Sequence, residues 1–197
     1  MIGHSFGTSV VRRFLQDQRD GIALELAGVG LSSTAARLGM SYYPASWIAG
    51  LEGLLRGPKS ASGIMEKLVF GSYNAPFEHR TDWDWISSDS AVVDSYIEDP
   101  LCGFNCSAAF WRDHLTCLPV LQEREAKAFI PFVPTLLLLA GTADPLSLSG
   151  LANGALGESY AAIGTDVLDI RVPLGRHEVL SDENVIARVV AWLDAAI

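Results

Sequence analysis

Apolar and polar positions follow three rhythms along this chain, and the changes between them divide it. Val10, Val11, Phe14 and Leu15 recur at helical spacing, with Arg12, Arg13, Gln16 and Asp17 on the other face, which predicts an amphipathic helix over 8–16. The run Ile22-Ala23-Leu24-Glu25-Leu26-Ala27-Gly28 follows Asp20-Gly21 and reads as a largely buried parallel strand, ending in a Gly28-Val29-Gly30 turn. From about Leu31 to Ile130 the pattern is helical, with no convincing strand: helices are predicted over 45–55, 63–70, 90–97, 108–121 and 123–129.

The strand type returns at 134–140, where Pro134-Thr135 leads into four leucines, and Gly141-Thr142-Ala143-Asp144-Pro145 forms the turn beyond it. A helical stretch over 146–163, interrupted by Asn153-Gly154 and Gly157, leads to an alternating strand over 166–172. An amphipathic helix over 182–197 closes the chain on Val185, Ile186, Val189, Val190, Trp192 and Leu193. Strands alternating with helices at both ends of the chain predict an α/β fold with a parallel sheet. Residues 1–30 and 131–197 are read as its core, and 31–130 as a helical insertion.

The insertion holds four of the five tryptophans, Trp47, Trp83, Trp85 and Trp111, and most of the other aromatic residues. That density suits a lid over an apolar cleft, and it equally suits the insertion's own packing. Hydrophobic residues make up 49% of the chain and charged ones 19%, which is more apolar than an ordinary soluble domain. A net charge of −9, with no Lys/Arg cluster, argues against nucleic acid or an anionic membrane as partner. Cys102, Cys106 and Cys117 lack the paired spacing of a zinc site and are read as reduced and structural, with no metal or cofactor expected. No apolar run is long enough to cross a bilayer and no leader pattern opens the chain, so the expected location is cytoplasmic.

Candidate chemistry begins at Gly3-His4-Ser5-Phe6-Gly7, a Gly-x-Ser-x-Gly sequence directly before the first helix. In a nucleophile elbow the serine sits on a sharp strand-to-helix turn, which calls for glycine two residues to either side and pushes Ser5 Oγ into a cleft. The N–H of Phe6 then serves as an oxyanion donor at the helix N-terminus. A serine hydroxyl needs a base near neutral pKa. Of the four histidines only His177 follows a sheet strand, whereas His4 is bound into the elbow and His79 and His114 lie in the insertion. Asp144, one strand earlier at the same sheet edge, is the natural carboxylate for His177. Asp166, Asp169 and Asp182 are the alternatives, and Asp182 could instead cap the last helix.

The chain resembles the C-terminal two-thirds of an α/β-hydrolase of the serine aminopeptidase S33 type, which groups monoacylglycerol lipase-like and lysophospholipase-like enzymes. The resemblance rests on five segments in the same order: Gly3 to Thr8, Thr81-Asp82-Trp83-Asp84-Trp85-Ile86-Ser87, Asp99-Pro100-Leu101-Cys102-Gly103-Phe104, Gly141 to Pro145, and Gly175-Arg176-His177-Glu178. It implies Ser5 as nucleophile, Asp144 as acid, His177 as base and 31–130 as the cap. The substrate implied is an ester, lipid-like and monoacyl, with amide hydrolysis at a peptide N-terminus as the rival.

The family also has further strands ahead of the elbow and a His-Gly loop that supplies a second oxyanion N–H. Here only Met1 and Ile2 precede Gly3. The sequence therefore reads as a fragment, a mis-started gene model or a decayed copy. Two expectations follow: an open edge beside the strand around Ile22, and self-association without esterase activity when residues 1–197 are expressed alone. An inactive pseudo-hydrolase that needs a complementary polypeptide is the alternative from another functional class.

Overall fold

The computed structural model describes residues 1–17, 26–36, 42–126 and 130–196. In chain order the elements are β1 (Ile2–His4), α1 (Phe6–Asp17), β2 (Val29–Ser32), α2 (Tyr42–Arg56), α3 (Gly63–Asn74), α4 (Ser90–Glu98), α5 (Ala108–Ala126), β3 (Thr135–Gly141), α6 (Leu151–Ala161), β4 (Asp166–Val172), a 3-10 turn at Val179–Ser181, and α7 (Glu183–Ala196). The four described strands are parallel and lie in the order β1-β2-β3-β4. Gly3 pairs with Leu31, Leu31 with Leu138, and Leu138 with Asp169. All four strands thus end at one edge, and the loops that follow them gather there.

The leucine run of β3 is continuous because both of its faces are buried. Leu136 and Leu138 pack with Val11, Leu15, Val29, Leu31, Leu156 and Tyr160, which places α1 and α6 against one face. Leu137 and Leu139 face the other way, into Ile170, Val179, Val185, Val189 and Trp192 of β4, the 3-10 turn and α7. Each such side chain, fully buried, stabilises the fold by roughly 1.5–3 kcal/mol relative to exposure. Trp192 also donates its indole N–H to Thr135 Oγ1 at 2.9 Å, fixing α7 at the start of β3.

Several elements differ from the expected ones. The second strand is Val29–Ser32, and of the predicted 22–28 run residues 22–25 lie outside the described residues. Val29 and Gly30 are strand residues rather than a turn. A Cβ on Gly30 would sit 3.2 Å from Ile2 Cγ1, so this glycine answers to close strand packing. Ile2–His4 is itself a strand, and it leaves β2 flanked on both sides; the expected open edge next to the second strand is occupied by β1.

In α1 the buried face carries Arg12 and Gln16 together with Val11 and Leu15, while Val10 is 52% exposed. Arg12 Nε donates to Glu125 Oε1 at 2.7 Å, and Gln16 donates to the Leu121 carbonyl. These partners engage Arg12 Nε and Gln16 Nε2, which the pattern alone assigned to solvent, while Arg12 Nη1 and Gln16 Oε1 are buried without a partner among the described residues. The predicted helices over 108–121 and 123–129 are one helix, α5, which runs through Pro119 to Ala126. The glycines in 146–163 do not break α6; Gly154 and Gly157 lie within it.

The chain divides into two compact units, residues 1–36 with 121–197, and residues 37–120. The first holds the sheet. The second is helical, and its aromatic residues pack on one another. Phe70 stacks on Trp85 at 5.5 Å and meets Trp83 and Trp111 at 5.4 and 5.5 Å; Tyr96 lies 5.2 Å from Trp83. Asp84 is buried beside them and accepts hydrogen bonds from Arg80 N, Thr81 N and Thr81 Oγ1. The aromatic density of 37–120 is in large part this unit's own core.

Candidate active site

Ser5 sits between β1 and α1 with φ at 53°, in the left-handed region that a non-glycine residue adopts only under constraint. The constraint is visible on both sides. Ser5 N–H donates to the Ser32 carbonyl at 2.9 Å, and the Ser5 carbonyl accepts from Thr8 N and Thr8 Oγ1 at 3.0 and 2.7 Å. A Cβ on Gly3 would lie 2.6 Å from the Gly7 carbonyl oxygen, so the chain can double back here only with glycine at position 3. Gly7 differs: a Cβ there would meet nothing within 4 Å, so sterics do not demand glycine on that side. Phe6 opens α1, and its N–H belongs to the first helical turn, where backbone N–H groups carry partial positive charge.

The loops after β3 and β4 are joined by two backbone bonds and one bond to a side chain. Ala143 N donates to the Gly175 carbonyl at 2.8 Å, Thr142 N to the Val172 carbonyl at 2.9 Å, and Leu174 N to Thr142 Oγ1 at 2.8 Å. A Cβ on Gly141 would lie 2.0 Å from the Gly175 oxygen, an approach that excludes every other residue type. This junction carries Asp144 on one loop and His177 on the other. Ser33 Oγ ties the His177 loop to the end of β2 by donating to the His177 carbonyl at 2.8 Å.

The result is a chain of three side chains. His177 Nε2 lies 3.0 Å from Ser5 Oγ, and His177 Nδ1 lies 3.2 Å from Asp144 Oδ1. Asp144 is fully buried and His177 nearly so. Burial pushes the Asp144 carboxyl up, but the hydrogen bond and charge of His177, together with Leu146 N–H at 3.1 Å, hold it below the ordinary aspartate value. An ionised Asp144 fixes the tautomer with the proton on Nδ1, which leaves Nε2 to accept the proton of Ser5. Such a set can activate a serine hydroxyl for attack on a carbonyl carbon.

The other carboxylates stand elsewhere. Asp169 pairs with Arg171 at 3.0 Å and accepts from Asn153, Asp166 is exposed on β4, and Asp182 accepts from Asn184 N at the start of α7. His79 and His114 lie in the second unit, where His114 stacks on Phe110. His4 is less passive than its place in the elbow suggests. Its Nε2 lies 2.8 Å from Glu178 Oε1, its Nδ1 lies 3.2 Å from Ser32 Oγ, and its ring centroid is 4.9 Å from that of His177. Glu178, which directly follows His177, was the available signal. His4, His177 and Glu178 each bring a possible metal ligand within 4.8 Å of the others, but the ring nitrogens already engage Ser5, Asp144, Ser32 and Glu178. Cys102, Cys106 and Cys117 form no disulfide.

A parallel sheet covered on both faces by helices, with a serine on a strained strand-to-helix turn at its C-terminal edge, defines the α/β-hydrolase fold. Within that class the chain belongs to the serine aminopeptidase S33 family, whose model matches residues 1–184. Among solved structures it is similar to a thermostable carboxyl esterase from Bacillus coagulans, with a TM-score of 0.82 and 20% identity over the whole chain. A monoacylglycerol lipase from Paleococcus ferrophilus gives a TM-score of 0.69 at 22% identity, and a monoglyceride lipase from Saccharomyces cerevisiae 0.67 at 16%. The chain spans 64%, 68% and 61% of the lengths of these three proteins. No curated protein matches it in sequence. Among the described residues no helix is long and apolar enough to cross a membrane.

Proposed function

We propose that the chain carries a serine hydrolase site for carboxylic esters of lipid-like monoacyl type, working through an acyl-enzyme on Ser5. His177 Nε2 takes the Ser5 proton as Oγ attacks the ester carbonyl, and Asp144 stabilises the imidazolium that forms. The Phe6 N–H stabilises the oxyanion. His177 then protonates the departing alcohol, and water activated by the same nitrogen releases the acid. The cap is assigned to the helical unit, residues 37–120, within the 31–130 insertion that the sequence suggests. The observation that carries the reading is the pair of contacts made by His177, 3.0 Å to Ser5 Oγ and 3.2 Å to Asp144 Oδ1, around a serine held at positive φ. The monoacyl preference is drawn from the lipase neighbours, and the net charge of −9 argues against nucleic acid or an anionic membrane as partner.

The test compares residues 1–197 with Ser5→Ala on p-nitrophenyl esters, a monoacylglycerol and an aminoacyl p-nitroanilide, with a fluorophosphonate probe alongside. The proposed site predicts probe labelling at Ser5 and ester turnover that Ser5→Ala abolishes, with the anilide untouched, whereas the self-association expected of 1–197 from its sequence predicts an associated chain with neither. Preferential cleavage of the anilide would move the chain to aminopeptidase chemistry. A folded chain with no turnover above the Ser5→Ala control would make it an inactive hydrolase relative.

A further inference from the structure

His177 must hold one ring position against two partners on different loops, yet its own loop, 173–178, has no regular structure until the 3-10 turn at Val179–Ser181. What fixes that loop is a set of polar attachments to the strand ends. Ser33 Oγ holds the His177 carbonyl. The next residue, Glu178, reaches across to His4, the last residue of β1 and the immediate neighbour of Ser5, with Oε1 2.8 Å from Nε2. His4 is in turn held from its other nitrogen by Ser32 Oγ at the end of β2. One side-chain chain, Ser32 to His4 to Glu178, therefore spans the ends of β1 and β2 and the histidine loop.

We propose that the His4–Glu178 pair is a positioning latch for the proposed hydrolase reaction, holding His177 within hydrogen-bond reach of Ser5. This inference rests on the serine hydrolase reading above. The latch acts in two ways. It anchors the backbone one residue beyond His177 to the residue one before Ser5, so the two reacting side chains share a short rigid link. It also sets the His4 ring against the His177 ring, centroids 4.9 Å apart and tilted by 53°, which limits the swing of the His177 imidazole away from Oγ. The groups that face the pair are His177, Asp144 and Ser32. The hydrogen bond from His4 holds the Glu178 carboxyl below the ordinary glutamate value against partial burial, so it is ionised at neutral pH and accepts from His4 Nε2–H. His4 Nδ1 then accepts from Ser32 Oγ–H, and all three groups are satisfied.

The latch differs from a generic stabilising contact in what its loss should change. A misplacement of about 1 Å at a reacting group can lower turnover on the order of 10²-fold, and a latch that acts only through the position of His177 should leave KM unmoved. The test measures kcat and KM for an ester in Glu178→Ala, Glu178→Gln, His4→Ala and the His4→Ala/Glu178→Ala double variant, with amide hydrogen exchange over 176–182 in each. Glu178→Ala is expected to lower kcat on the order of 10²-fold with KM unchanged. Glu178→Gln, whose amide oxygen can accept the same bond from His4, should retain most of the kcat. The double variant should be no worse than the poorer single one, because both remove one interaction. Exchange over 176–182 should accelerate in Glu178→Ala and stay near wild type in Glu178→Gln. Unchanged kcat in Glu178→Ala, a loss expressed in KM, a Gln variant as poor as the Ala one, or multiplying losses in the double variant would each overturn the latch. If the wild-type chain shows no Ser5-dependent turnover, the hydrolase reading fails separately. The exchange rates then decide the latch alone, and unaltered exchange in Glu178→Ala would overturn it.

Discussion

The two units of this chain are ordered by opposite means. In the first, apolar strand residues form the core on both sheet faces, and four polar ties link the strand ends: Ser5 N–H to Ser32, Ser33 Oγ to His177, His177 to Asp144, His4 to Glu178. In the second, no strand of the sheet is present among the described residues, and the centre is a cluster of rings around Phe70, Trp85 and Trp111. A hydrogen bond prescribes a donor, an acceptor and a geometry, whereas ring packing prescribes mainly volume. Substitutions in the first unit's polar chain should therefore change chemistry at little cost in stability. Those in the second unit's cluster should change stability first.

The largest effect expected is at Asp144. Asp144→Asn keeps the shape but offers His177 Nδ1 an amide in place of a carboxylate, which permits the wrong tautomer and removes the charge that stabilises the imidazolium. Loss of kcat on the order of 10⁴-fold is expected, as for a triad aspartate elsewhere, equivalent to about 5.5 kcal/mol of transition-state stabilisation. The melting temperature should move little. Turnover near wild type would transfer the carboxylate role to another residue, and a large fall in stability with it would erase the contrast between the units.

Next in size is Trp85→Ala. Trp85 is 4% exposed, stacks on Phe70 and lies 5.3 Å from Tyr73. Truncating a buried aromatic residue to alanine costs about 3–5 kcal/mol through lost transfer and the cavity left behind. The expected outcome is an early unfolding transition reported by amides of 63–120, with amides of β3 protected as before. A loss below about 1 kcal/mol would mean that the cluster is loosely packed and that residues 37–120 are ordered by something else.

The contrast also explains which parts of the molecule were legible in the sequence. Ser5, Asp144 and His177 stand out as candidates because each belongs to a glycine-bearing turn with little steric choice, and Gly3 and Gly141 have no room for a side chain. Strand β3 is legible because four leucines in a row buried on both faces suit few other structures. Arg12 and Gln16 are not legible, since their partners, Glu125 and the Leu121 carbonyl, lie over a hundred residues away and periodicity carries no long-range information. The same holds for His4 and Glu178, 174 positions apart. Strand β2 is displaced from the expected run because Val29 and Leu31 are buried while the flanking glycines resemble turn signals. Trp83, Trp85 and Trp111 suit a lid as well as a core in composition, and their contacts around Phe70 mark them as core, whereas Trp47 is 79% exposed.

The smallest effect expected tests whether any polar group matters for stability in the ring-packed unit. Asp84 is buried between Trp83 and Trp85 in sequence, and its carboxylate gathers three donors: Arg80 N at 2.6 Å, Thr81 N at 3.1 Å and Thr81 Oγ1 at 2.6 Å. Burial pushes its carboxyl up, but the bonds from Thr81 and Arg80 outweigh it, and the folded value lies below the ordinary 3.8. A carboxylate with a depressed folded pKa contributes stability that is complete above its unfolded value and lost as pH falls through the folded one. The second unit should thus hold this contribution at neutral pH and lose it only below about pH 4. Asp84→Asn keeps one acceptor and removes the charge, so the expected loss is about 1–3 kcal/mol at pH 7. Below pH 4 the gap between variant and wild type should narrow, because protonation of Asp84 makes the two alike. Urea unfolding at pH 7 and pH 3, followed by exchange at amides of 80–96, measures both quantities. A gap that stays constant across that range would mean that the Asp84 carboxylate charge does not stabilise the loop.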